Sequence, residues 1–174
     1  REAVSYDPIS GKLTWLHRPL SHFGSERYYR SINRRCAGTE AFAQISQYGY
    51  AVGCIFQQKI MAHHAAFALM TGRWPQSEID HINGHRADNR WVNLREVTHA
   101  ENGRNVSLGS ANTSGIMGVR WQAQTKAWVA YIRSGGKARH LGSFRTCEDA
   151  LAARKKAERE LGFHPNHGRQ ARAA

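Results

Sequence analysis

The sequence is short of acid and of paired cysteine. Against 25 Lys and Arg stand only 13 Asp and Glu, which leaves a formal net charge of +12 and a pI near 10.3. An acidic, phosphate-repelling surface is thereby excluded, and a pI above about 9 is the electrostatic footprint of a nucleic-acid binder. The three cysteines, Cys36, Cys54 and Cys147, contain no CxxC pair and are odd in number. That argues against a disulfide framework and a zinc knuckle. They read as free, mostly buried thiols of a reducing cytoplasm. No apolar run approaches the roughly 18 residues of a membrane span, and no secretory signal is visible. The chain begins at Arg1 rather than Met, so the natural start is expected upstream.

What is present suffices for packed cores: 41% of the 174 residues are apolar, enough for one or two small domains. The charge is unevenly spread. Residues 1–79 carry +4, residues 80–110 are neutral with four charges of each sign, and residues 111–174 carry +8. Positive flanks around a neutral centre suggest separate duties, with carboxylates in the centre able to hold a cation.

Turn and periodicity signals predict the elements. Tyr6 to Trp15 reads as a turn and a short strand; residues 17–40 read as basic and irregular. Alternation at Ala41–Ile45 and Tyr50–Phe56 predicts a hairpin, and a helix fits Met61–Met70, stopped by Gly72 and Pro75. Ile79–Ile82 reads as a strand, Asn83-Gly84 as a turn, His85–Asn93 as a polar loop and Leu94–Val97 as the partner strand. Thr98-x-x-Glu101 is a capping box, which predicts a helix from His99 to about Val106. Ser107–Ser114 reads as a linker. Three further strands are expected at 118–123, 127–133 and 138–144. A helix capped by Thr146 follows, with a stripe of Ala150, Leu151, Ala153, Ala157 and Leu161, and His164–Ala174 is expected to be a mobile basic tail. The fold class expected is α+β, with domains at 1–106 and 115–163.

Asp80, His81, Asn93 and Asn102 lie within 23 positions of one another, threaded through that strand–strand–helix. Such a set suits a divalent-metal site with its own proton acceptor. Asp80 offers a hard oxygen for Mg²⁺ or Mn²⁺, and His81 an imidazole that titrates near pH ~6.5. Neighbouring strand residues point to opposite faces, so one can hold metal while the other approaches water.

The residues Asp80-His81-Ile82-Asn83-Gly84, Asp88-Asn89-Arg90, Asn93-Leu94-Arg95, Val97-Thr98 and Glu101-Asn102 resemble the HNH endonucleases, specifically the homing type of phages and introns. So do Gly49-Tyr50, Ala62-His63 and Thr71-Gly72-Arg73-Trp74-Pro75 upstream. The resemblance implies a ββα-metal core at about 79–106. It casts Asp80 and Asn102 as ligands of a single Mg²⁺ or Mn²⁺, His81 as general base, and Asn93 as a brace that holds the loop and orients His81. Arg90 is expected to contact DNA and Asn105 a phosphate. The family often has His where Asn102 stands, and an amide there favours a magnesium-type ion over zinc. His64 stands where the family has Arg. His85, His99 and His140 are not read as ligands.

Residues 115–162 resemble the three-stranded-sheet-plus-helix domain of plant ethylene-response (Apetala-type) transcription factors through Gly118-Val119-Arg120-Trp121, Trp128-x-Ala130-x-Ile132-Arg133, Leu141-Gly142-Ser143-Phe144 and Glu148-Asp149-Ala150. Period two turns Val119, Ala130 and Ile132 toward the helix and Arg120, Gln122, Val129, Tyr131 and Arg133 outward. Arg120, Gln122, Tyr131, Arg133 and His140 are the expected base-reading contacts, and Lys126, Lys137 and Arg139 the expected phosphate partners.

The function expected is metal-dependent hydrolysis of double-stranded DNA, in a site-specific phage homing endonuclease in the bacterial host cytoplasm. No membrane or small-molecule substrate is expected, and a monomer is preferred. The rivals are a non-catalytic DNA-binding regulator and a nonspecific defensive nuclease.

Overall fold

The computed structural model describes residues 2–109 and 111–170 and is of mixed α+β class. The chain divides into two compact units, Arg1–Val97 and Thr98–Ala174.

In the first unit, β1 (Val4–Tyr6), β2 (Leu13–Trp15) and β3 (Glu40–Ala41) form an antiparallel sheet in that order. The turn between β1 and β2 is closed by the Asp7 and Gly11 amides. Gly11 has φ +77°, and a Cβ there would lie 2.5 Å from the Arg90 amide nitrogen, so only glycine lets this turn meet the 85–93 loop.

Residues 17–40, expected from the sequence to be irregular, are not. They contain α1 (Glu26–Cys36), whose N-cap Ser25 accepts from the Tyr28 amide. The helix escapes a periodicity reading because its buried face is small and partly polar: Ile32 and Asn33 are the residues it buries. Asn33 accepts from the Arg18 amide at 3.0 Å and donates to the Arg18 carbonyl at 2.8 Å, which satisfies its buried amide.

The expected hairpin forms between β4 (Gln44–Ile45) and β5 (Ala51–Ile55), but 41–45 is not one strand. Phe42 takes φ +61°, rare for a bulky residue, and splits β3 from β4. Its ring fills the core above Gly53, where a Cβ would come within 2.9 Å of it. Phe56 and Gln57, both at positive φ, turn β5 into β6 (Gln58–Met61), a strand with no Gly or Asn turn signal to announce it.

Helix α2 (Ala62–Thr71) ends at Gly72, as expected, and buries Ala62, His63, Ala65, Ala66 and Phe67. Val4, Leu13, Phe42, Ala51, Ala62 and Ala65 make one core. Ala66, Phe67, Ile79 and Leu94 make a second, beneath the hairpin of β7 (Glu78–His81) and β8 (Leu94–Val97).

The second unit opens with the capping box: Thr98 accepts from the Glu101 amide while Glu101 takes the Thr98 amide. Helix α3 (His99–Asn102) is shorter than expected and passes into a 3-10 turn over Gly103–Asn105. Strands β9 (Val119–Gln122), β10 (Ala127–Ser134) and β11 (Lys137–Phe144) form an antiparallel sheet with β10 central, and α4 (Cys147–Glu160) packs on it. Thr146 caps α4 as expected. The buried stripe differs, consisting of Ala150, Arg154, Ala157 and Glu158. Gly118 takes φ +70° and sits 2.4 Å, by its virtual Cβ, from the Tyr131 carbonyl oxygen.

The units divide upstream of the 107–114 segment expected as the linker. Hydrogen bonds explain why 104–108 belongs to the second unit: Gly168 donates to the Val106 carbonyl, Leu108 to that of Arg169, and His164 to that of Arg104. Residues 164–170 are therefore built into the unit rather than forming a loose tail, with His167 only 5% exposed. Residues 171–174 lie outside the described residues. All three cysteines are free, but Cys54 is exposed and Cys36 and Cys147 are half-buried, a correction to the expected burial.

Candidate active site

Asp80 and His81 are neighbours on β7 and so leave it on opposite sides. The register sets Asp80 opposite Arg95 and His81 opposite Leu94. Cross-strand partners share a face, and the Arg95 guanidinium donates to Asp80 Oδ2 from Nε at 3.0 Å and from Nη2 at 2.7 Å. Asp80 is 7% exposed.

His81, 4% exposed, stands in a cluster of rings. Its centroid is 4.9 Å from that of His63, edge to face, and 6.0 Å from that of Tyr50; His63 in turn meets Tyr50 and His64. Burial pushes the His81 pKa down, with Asn89 and Asp80 pulling back part of the way. His63, buried at the start of α2, is pushed down to about 3 by burial and by the neighbouring His81 and His64. Its Nδ1 is buried without a partner. Both imidazoles are thus neutral at ordinary pH.

The loop over His81 fixes which nitrogen carries the proton. Asn89 donates its amide to the Ala87 carbonyl at 3.2 Å, so its Oδ1 faces His81 Nε2 at 3.3 Å as an acceptor. This assignment puts hydrogen on Nε2 and leaves the lone pair on Nδ1. Asn89 is held from beyond the loop by Tyr6, whose hydroxyl donates to the Asn89 carbonyl at 2.7 Å, and by Trp91, whose amide donates to Pro8. Burial beside Asp7 and Asp88 raises the Tyr6 phenol to about 12, so it remains a donor.

Asn93 closes the same loop. Its Oδ1 accepts from the Asn83 amide at 2.9 Å, and its Nδ2 donates to the Asp88 carbonyl at 2.8 Å. These contacts close the loop, and the ring of His81 meets Asn89. Arg90 lies fork-on against Asp88, at 2.8 and 2.6 Å, and that guanidinium with Asn83 holds the Asp88 carboxyl well below the usual range.

Asn102 lies half-buried on α3, in the second unit, whereas Asp80 and His81 belong to the first. Asn105 is a correction. It is 3% exposed, and Arg169 Nη1 donates to both its carbonyl (2.7 Å) and its side-chain oxygen (2.9 Å), so it is structural rather than presented to a phosphate. On the sheet, Arg120, Tyr131, Arg133 and His140 are exposed, and the register places Tyr131 opposite His140 and Val129 opposite Arg120. Val129, expected on the open face, is only 5% exposed, so it offers no contact there. Lys126 and Lys137 are exposed at the strand turns and Gln122 is half-buried. Arg139, opposite Ile132 in the register, is exposed.

Sequence reasoning gave no role to Asn89, Arg95, Tyr50 or the stacking of His63. The signals were slight: Asn89, Arg95, Tyr50 and His63 all sat inside the family-like motifs, but nothing in the sequence set them apart from their neighbours there.

Residues 61–104 match the HNH endonuclease family. Protein 3.8 of Escherichia phage T7 is 32% identical over 94 residues, which are 54% of this chain and 73% of that protein. The chain belongs to the HNH endonuclease family. The matched stretch includes α2, β7, β8 and α3, and with them His63, Asp80, His81, Asn93 and Asn102; β9–β11 and α4 lie outside it. No solved structure gives a significant match. No helix among the described residues is long and apolar enough to cross a membrane.

Proposed function

We propose that this HNH protein is a metal-dependent endonuclease hydrolysing phosphodiester bonds of double-stranded DNA, with His81 Nδ1 as the proton acceptor for the attacking water. The observation that carries the reading is the neutral, buried His81 ring with Nε2–H on Asn89. A general base must arrive unprotonated and aimed, and burial, the His63 and Tyr50 rings and the Asn89 oxygen together meet both requirements.

Asp80 is proposed as the carboxylate ligand of one divalent ion. Asn102 is proposed as the amide ligand on its sequence position alone. Among the described residues no three His, Cys, Asp and Glu side chains converge to hold a metal. The donor chemistry fits Mg²⁺ or Mn²⁺, which keep water and phosphate oxygens in their shell, better than a zinc cage. Such an ion, when bound, supplies charge neutralisation at the phosphate and at the departing 3′ oxygen. Arg95 shares the Asp80 carboxylate and orients it. Asn93 holds the loop closed over the base.

The 115–163 module is proposed to grip DNA in the manner of the ethylene-response domain it resembles, through Arg120, Gln122, Tyr131, Arg133 and His140 on base edges and Lys126, Lys137 and Arg139 on phosphates. Arg90, once released from Asp88, adds a phosphate contact. A homing role in a bacterial host is supported by the phage origin of the T7 relative.

Plasmid nicking with and without EDTA tests the reading. Metal-dependent cutting should vanish in His81→Ala while DNA binding persists. Undiminished cutting by that variant removes His81 from the mechanism.

A further inference from the structure

Helix α1 presents an arginine face that neither the fold nor the nuclease site uses. Arg27, Arg30, Arg34 and Arg35 are exposed, with Tyr28 and Ser31 between them, and Arg30, Ser31, Arg34 and Arg35 line a shallow groove. Arg27, Arg30 and Arg34 follow the i, i+3, i+7 spacing of one helical stripe, with Arg27 and Arg34 roughly 10 Å apart along the axis. One carboxylate on the helix, Glu26, pairs with Arg30. No ion pair among the described residues engages Arg27, Arg34 or Arg35.

Helix stability does not account for this pattern. Arg34 and Arg35 lie in the last turn, where a cation favours the helix dipole by some tenths of a kcal/mol. Arg27 lies in the first turn, where a cation opposes it. Like charges three and four residues apart oppose the helix further. The arrangement therefore costs stability unless an anion answers it. The helix beneath is held firmly: Asn33 clamps the Arg18 backbone, Tyr29 meets His17 and Phe23 edge to face, and the Arg18 guanidinium lies over Trp15 at 4.7 Å. Guanidinium forks on a fixed helix match the spaced phosphates of a duplex backbone, which they can bind two bonds at a time.

We propose that the exposed face of α1 is a further DNA-docking surface, holding the phosphate backbone through Arg27, Arg34 and Arg35. It rests on the nuclease reading for its choice of DNA over another polyanion.

The test compares full-length protein with an Arg27→Ala, Arg34→Ala, Arg35→Ala variant and its all-Lys counterpart, binding a random-sequence duplex at several salt concentrations. Alanine is the strongest helix former, so the helix should persist. Each lost phosphate contact lowers the salt slope by about 0.9. Between about 50 and 200 mM salt, wild-type affinity should then fall roughly 40-fold more than that of the alanine variant. The lysine variant should keep most of the wild-type slope. Equal slopes for wild type and alanine variant overturn the proposal, as does a lysine variant that loses as much as the alanine one. Cleavage is read separately: loss of cutting in the wild type with the slope difference intact would fault the nuclease reading and leave this surface standing.

Discussion

Acid should destabilise the first unit through His63, which the fold keeps neutral. An ordinary histidine titrates near pH 6.5; His63 in the folded chain does so only at about 3, chiefly because burial penalises its charged form. When the folded pKa lies below the unfolded one, the unfolded chain takes up the proton first. The contribution to stability is thus complete above pH 6.5 and drains away as the pH falls from there toward 3. At pH 5, about 1.5 units below the unfolded pKa, the unfolded side chain is charged while the folded one is not, and at 1.36 kcal/mol per unit that is a loss of about 2 kcal/mol relative to pH 7. The control is His63→Phe, which keeps an aromatic ring against His81 and Tyr50 but cannot titrate. Urea unfolding at both pH values, wild type against variant, isolates His63 because His64 and His81 contribute in both proteins. Wild type should lose about 2 kcal/mol more than the variant. Equal losses would show that His63 is hydrated or partnered in the folded chain, and would refute the argument.

Two further outcomes follow from particular contacts. Asn89→Ala removes the acceptor that holds the proton on His81 Nε2, so DNA cutting should fall by up to about 100-fold with DNA binding unchanged; unaltered cutting rates would deny Asn89 this positioning role. In the second unit, Arg154 is 3% exposed and bonds Glu158 at 2.8 Å, the Tyr131 carbonyl at 2.6 Å and His167 at 3.1 Å. Arg154→Leu should cost about 3 kcal/mol, the low end for a stranded buried charge because Lys155 still reaches Glu158. Adding Glu158→Leu should recover much of it in urea denaturation. A double variant no more stable than the single would show that the carboxylate is not the cause.

The elements that were legible in the sequence are those whose causes lie within a few residues. The Thr98–Glu101 box caps α3, Thr146 caps α4, and the Asp80-His81 strand returns as β8 after its polar loop. The alternation of 118–144 becomes three strands. Helix α1 was missed because one isoleucine and one asparagine make its buried face. The second-unit boundary was missed because it depends on the His164 and Gly168 amides meeting the Arg104 and Val106 carbonyls, and on the Leu108 amide meeting that of Arg169.

Charge sign, the two-stranded hairpin, the capped helix after it and the choice of His81 as the proposed proton acceptor follow from residue order alone, since turns, caps and side-chain chemistry act locally. Only tertiary structure decided the state of that imidazole. Tyr6 reaches Asn89 across 83 positions, and Asn89 then sets the proton on His81. His63 and Tyr50 arrive from other elements to wall the ring off from water. Desolvation and hydrogen-bond direction are properties of the packed neighbourhood, and a linear chain does not contain them until it folds.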